Sequence, residues 1–155
     1  LCLGMQIMTI EFARHVLKDN TITSEEFDEE KKLNPDKYVI HFMPGQDEHR
    51  AKGGTLRLGL YDCELKKDTL TYKLYKKDLI QERHRHRYEF NNKYKKALEE
   101  AGMVFSGINP QSNLVEISEN KNHPFMIGSQ FHPEFLSRPN RPHPLFKGFI
   151  DAAIK

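Results

Sequence analysis

The chain opens inside an apolar run. Leu1-Cys2-Leu3-Gly4-Met5-Gln6 leads directly into apolar residues at Met5, Met8, Ile10, Phe12, Ala13, Val16 and Leu17. That spacing predicts a helix over 5–18. Chain starts are ordinarily polar and frayed, so this opening reads as the middle of a fold and the chain as a fragment of one. The second residue is the informative one. A cysteine followed by a small residue and a helix is half of a nucleophile elbow, a strained strand-to-helix turn. The helix dipole there favours a thiolate. Taken alone, a cysteine in such a place is more often a plain buried thiol.

The rest of the chain can support such a turn. With 155 residues, 37% of them hydrophobic, it has the size of one domain with a core, to which ten Phe and six Tyr contribute. A formal charge of +2 does not argue for nucleic acid. No apolar run is long enough to cross a membrane. Two cysteines exclude a disulfide scaffold and fit a reducing, cytoplasmic setting. No internal repeat or linker divides the chain.

Strand and helix signals alternate along it. Residues 19–36 are polar and acidic and read as a solvated loop around Glu25 and Glu26. Tyr38–Phe42 is a strand candidate ended by Pro44-Gly45, and residues 45–54, with Gly53-Gly54, read as a loop. Residues 55–60 alternate like a strand. Asn92 is placed to cap a helix from Lys93 to Ala101, with Gly102 as its stop. Strands are expected at 103–108, 114–118 and 125–131. A final helix over 144–155 puts Leu145, Phe146, Phe149, Ile150, Ala153 and Ile154 on one face. This mixture indicates an α/β fold.

The expected strand 125–131 runs into His132-Pro133-Glu134. Residues i and i+2 of an extended backbone project to one side, so Glu134 can orient His132. An oriented imidazole is the natural base for a thiol. By itself the motif is also what a histidine in a Pro-rich loop would look like. His84 and His86 form a possible metal-ligand pair, but no further ligands stand at zinc spacing and the basic neighbours would repel a cation. Neither does the run have the interleaved aromatics of a nucleic-acid platform. Recognition of a substrate and contact with a partner domain suit it better. Cys63, read as lying in a charged loop with no adjacent base, has no assigned role.

Taken together, Cys2-x-Gly4-Met5-Gln6 and Gly128-Ser129-Gln130-Phe131-His132-Pro133-Glu134-Phe135 resemble the triad-type (class I) glutamine amidotransferases. Within them the chain looks most like the glutaminase domain of the CTP synthase family. Three stretches carry that narrower likeness: Gly53-Gly54-Thr55-Leu56-Arg57-Leu58-Gly59, the run from Glu82 to Asn91, and Phe135-Leu136-Ser137-Arg138-Pro139.

The resemblance implies an open, mostly parallel sheet flanked by helices, flavodoxin-like and here without its N-terminal strands. Residues 1–155 would be the C-terminal two-thirds of a glutaminase domain, inactive alone. It implies Cys2 as nucleophile, His132 as base and Glu134 as its orienting carboxylate. Leu3 would give an oxyanion N–H. Gln6, Glu26 and Arg87 would bind L-glutamine, with Glu26 on its α-amino group and Arg87 on its α-carboxylate. Arg57 would belong to a GTP-responsive loop. ATP, Mg²⁺ and UTP would serve an N-terminal synthetase domain, in a homotetramer able to form filaments. A γ-glutamyl hydrolase, another triad amidotransferase and a non-catalytic assembly module are the alternatives.

Overall fold

A computed structural model of the chain describes residues 1–42 and 57–154. The elements are α1 (Leu3–Leu17), β1 (Thr23–Ser24), β2 (Tyr38–Phe42), β3 (Arg57–Leu65), α2 (Leu70–Tyr75), β4 (Leu79–His86), β5 (Tyr88–Phe90), α3 (Lys95–Glu100), β6 (Met103–Ile108), β7 (Val115–Asn120), β8 (Ile127–Ser129) and α4 (Pro144–Ala153). The expected turn at Pro44-Gly45 and the Gly53-Gly54-Thr55-Leu56 stretch lie outside the described residues.

The strands form two sheets. One has the order β1-β2-β5 and the other β4-β3-β6-β7-β8. The expectation of a mostly parallel sheet is corrected here. Among the described pairings only β1 with β2 is parallel, and all four neighbours in the larger sheet are antiparallel. The physical reason is connection length. The segments 109–114 and 121–126 are too short for a parallel crossover, which needs a dozen or more residues.

Helix α1 begins two residues earlier than its periodicity suggests, because the Cys2 carbonyl already accepts from the Gln6 N–H at 3.2 Å. It ends at Lys18, whose left-handed conformation lets its N–H reach the Arg14 carbonyl. Met5, Thr9, Ile10 and Ala13 are buried along one face. That face lies on β8 at Gly128, where a Cβ would stand 2.8–2.9 Å from Met8 and Met5. Only glycine allows the helix this close.

Residues 19–36 are less solvated than expected. Ile22, Thr23 and Ser24 are buried, and Tyr38 ties the segment down by donating to Asp28 at 2.7 Å. Strand β2 matches its expected span, while β3 runs beyond the expected 55–60. Strands β4 and β5 and helix α2 have no counterpart in the sequence reading. Asn91, not Asn92, supplies the cap, accepting from Lys93 N–H ahead of a 3₁₀ turn and then α3.

Two apolar clusters hold the frame. Met5, Ile10, Val39, Ile40, Phe90, Leu98 and Phe105 join α1 to β2, β5, α3 and β6. Cys63, Ile80, Ile117, Phe131 and Leu145 fill the space between the larger sheet and α4. Each large side chain so buried contributes roughly 1.5–3 kcal/mol. The expected apolar face of α4 is only partly used. Leu145 and Gly148 are buried, but Phe149, Ile150 and Ile154 are exposed.

Candidate active site

Cys2 lies where β8 meets α1. Its N–H donates to the Ser129 carbonyl at 2.6 Å, and its backbone has φ 46° and ψ −108°. A non-glycine residue held at positive φ is strained, and surrounding structure must enforce it. Here the enforcement comes from the Ser129 bond on one side and the first turn of α1 on the other. That bond ties the turn at Cys2 to the end of β8.

Burial pushes the Cys2 thiol above its ordinary value, and the backbone N–H of Leu3 pulls it back. The negative Glu26 and Glu89 carboxylates add to the upward push. The Leu3 N–H stands at the first position of α1, directly after the nucleophile candidate. An N–H in that place can serve an oxyanion.

His132 and Glu134 are brought together, but not along an extended strand. Strand β8 stops at Ser129, and Pro133–Phe135 form a 3₁₀ turn that folds the Glu134 carboxylate back. His132 Nδ1 lies 2.7 Å from Glu134 Oε1. A carboxylate can only accept there, so Nδ1 carries the proton and Nε2 is the free base nitrogen. Nε2 is buried without a hydrogen-bond partner among the described residues. The His132 N–H anchors the turn to the Arg83 carbonyl of β4 at 2.8 Å, and Phe135 stacks on the imidazole at 5.3 Å.

The residues expected to bind glutamine are distributed around this point. Gln6 is buried on α1 and donates from Nε2 to the Tyr88 carbonyl and to Gln130 Oε1, both at 3.1 Å. Arg87 is half-buried in the link between β4 and β5, immediately before Tyr88. Glu26 sits in a 3₁₀ turn opened by Ser24 Oγ, which accepts the Glu26 N–H. Its carboxylate acts on both the Cys2 thiol and the Tyr88 hydroxyl, raising each. The neighbouring Glu25 accepts from the Phe42 N–H at 2.7 Å, so it is engaged in holding β2.

Gln130 is the residue that the sequence reading passed over. It is 1% exposed, and its Nε2 lies 3.5 Å from Cys2 Sγ. The available signal was a large amide placed two residues before His132 at the end of an apolar strand.

Arg57 lies apart, inside the molecule. It is 4% exposed and donates to Glu116 at 2.5 Å and Glu89 at 3.3 Å. Glu116 belongs to β7 and Glu89 to β5, so the guanidinium joins the two sheets. Burial pushes Glu116 up to about 8 against the pull of Arg57. The run from Glu82 to Arg87 splits in two. Glu82, His84 and His86 point inward, while Arg83 and Arg85 are exposed. His86 Nε2 pairs with Glu89 at 2.7 Å, and burial pushes His84 down to about 2. Among the described residues no group of three or more His, Cys, Asp or Glu side chains is arranged to hold a metal ion. No described helix is long and apolar enough to cross a membrane.

A strained cysteine at a helix start, with a carboxylate-oriented histidine one short segment beyond its supporting strand, suits thioester chemistry on an amide. The chain belongs to the class-I glutamine amidotransferases, whose family model matches residues 1–152. Within that family it is similar throughout to CTP synthases. The CTP synthase of Dehalococcoides mccartyi strain 195 is 57% identical over 155 residues, covering all of this chain and 28% of that protein. The Herpetosiphon aurantiacus CTP synthase is 56% identical, with the same coverage. The chain thus spans just over a quarter of the length of these relatives. Among solved structures, the glutaminase domain of Trypanosoma brucei CTPS with bound acivicin superposes with a TM-score of 0.87 at 35% identity. That match covers 99% of this chain and 58% of the other.

Proposed function

We propose that this chain carries the glutamine-hydrolysing centre of a CTP synthase and forms the C-terminal part of its glutaminase domain. The observation that carries this is Cys2 at φ 46°, tied to the strand that leads into the His132–Glu134 pair.

His132 Nε2 takes the Cys2 proton as the sulfur bonds to the side-chain amide carbon of glutamine. The carbonyl electron pair moves onto oxygen, which the Leu3 N–H stabilises. The pair returns, the C–N bond breaks, and His132 gives its proton to the departing ammonia. Water, deprotonated by His132, then cleaves the thioester to glutamate and frees the thiol. Glu134 keeps His132 in the required tautomer throughout. Glu26 and Arg87 hold the two charged ends of the substrate.

In the whole protein the ammonia would aminate UTP in an ATP- and Mg²⁺-dependent step on a synthetase domain of a tetrameric enzyme. A GTP response involving Arg57 would act through its buried carboxylate partners, because the guanidinium itself is enclosed. The test is ammonia release from glutamine by the full-length protein carrying this sequence. Cys2→Ala abolishes it on this reading, and undiminished release by that variant overturns it.

A further inference from the structure

The amide chain beside Cys2 has a direction, and the backbone sets it. The Tyr88 carbonyl can only accept, so Gln6 must turn its NH₂ group toward it. The second N–H of that group faces Gln130, and only the Gln130 oxygen can receive it. The Gln130 amide is thereby fixed with its own NH₂ group toward the Cys2 sulfur. Turning either amide over would set two donors or two acceptors against each other. Gln6 and Gln130 are 3% and 1% exposed, so water does not compete for these bonds.

We propose that Gln130 is a positioning residue for the nucleophile, presenting an oriented N–H donor to the Cys2 sulfur at the end of a Tyr88–Gln6–Gln130 relay. The inference rests on the reading of Cys2 as nucleophile. A hydrogen bond to an anionic sulfur is stronger than one to a neutral thiol or thioester. The donor therefore favours the thiolate before attack. It also favours the sulfur as leaving group when the C–S bond breaks and the electron pair returns to it. The relay starts at the residue after Arg87, so the segment that would read the substrate carboxylate also sets the donor at the sulfur.

The test is the pH profile of Cys2 alkylation by iodoacetamide in the full-length protein. Mass spectrometry of the Cys2 peptide keeps it separate from Cys63. In Gln130→Leu the midpoint moves up by about one pH unit, roughly a tenfold loss of thiolate at neutral pH. In Gln130→Glu, which replaces the donor with a negative acceptor, it moves further. Gln6→Leu leaves Gln130 in place but unfixed and gives a smaller shift in the same direction. It is the deciding variant if those at Gln130 lose the native melting transition. An unchanged midpoint in a natively melting Gln130→Leu, or in Gln6→Leu when that variant decides, overturns the relay. Failure of the nucleophile reading shows separately, as ammonia release that survives Cys2→Ala.

Discussion

His132 presents Nδ1 to Glu134 Oε1 at 2.7 Å, while its Nε2 is buried with no hydrogen-bond partner among the described residues. The first contact decides what the second nitrogen can do. With Nδ1–H fixed on the carboxylate, Nε2 is left as the acceptor that a thiol proton requires. Glu134→Gln offers either an oxygen or an NH₂ group, so the tautomer is no longer fixed. The expected outcome is a fall in kcat for glutamine hydrolysis of about 10²-fold, with KM little changed. Steady-state ammonia release against glutamine concentration checks it.

Gly128 lets α1 lie against β8, and Cys2 is held between those two elements. A Cβ at Gly128 would stand 2.9 Å from Met5 Cβ and 2.8 Å from the Met8 methyl. The Met8 end can swing away, but Met5 Cβ moves only with the helix. Gly128→Ala should therefore destabilise the fold by about 1–3 kcal/mol, as overpacking does. It should also slow Cys2 alkylation, because the shift passes directly to the elbow. Urea denaturation and the alkylation rate measure the two effects, and an unchanged rate would show that α1 and β8 do not set the elbow together.

How far the sequence disclosed this molecule depends on what each burial pattern looks like in letters. Cys2 and the His132–Glu134 pair were legible because reactive residue types stood at the ends of apolar runs. Strand β4 was not. Its inward face carries Glu82, His84 and His86 and its outward face Gln81, Arg83 and Arg85, so alternation of burial leaves no alternation of polarity. The antiparallel order of β6, β7 and β8 could have been inferred from the short segments 109–114 and 121–126 alone. The expectation of a mostly parallel sheet hid it. Gln130 was missed because an amide displays no chemistry until its neighbours fix its orientation. The inward course of Arg57 was missed because both carboxylates that pair with it are far along the chain.

Arg57 links β5 and β7 through Glu89 and Glu116, and all three side chains are nearly inaccessible. Removing Arg57 leaves two buried carboxyl groups without their partner, at a cost of about 3–5 kcal/mol. Arg57→Ala should show that loss in urea denaturation. Arg57→Met combined with Glu116→Gln removes charge from both sides and should recover much of it. A double variant as unstable as Arg57→Ala would mean that packing of the arginine stem, and not pairing, holds the sheets together.

His84 gives the fold a predictable response to acid. It is 1% exposed between Tyr61, His86 and Phe131. Its Nε2 comes within 3.4 Å of Glu116 without hydrogen-bond geometry, and neither ring nitrogen has a partner among the described residues. Burial, reinforced by the positive Arg57, pushes it from 6.5 down to about 2. Between those values the unfolded chain binds a proton that the folded chain does not. Stability from this group is thus fully present above pH 6.5 and is lost as pH falls through that window. Acidifying from pH 7 to 5 should cost about 2 kcal/mol through His84 alone. His84→Asn, which cannot titrate there, should lose less stability over the same interval by about that amount, whatever its stability at pH 7. Parallel urea titrations of the two proteins at both pH values give the difference. Equal losses would mean that His84 takes up its proton within the folded structure.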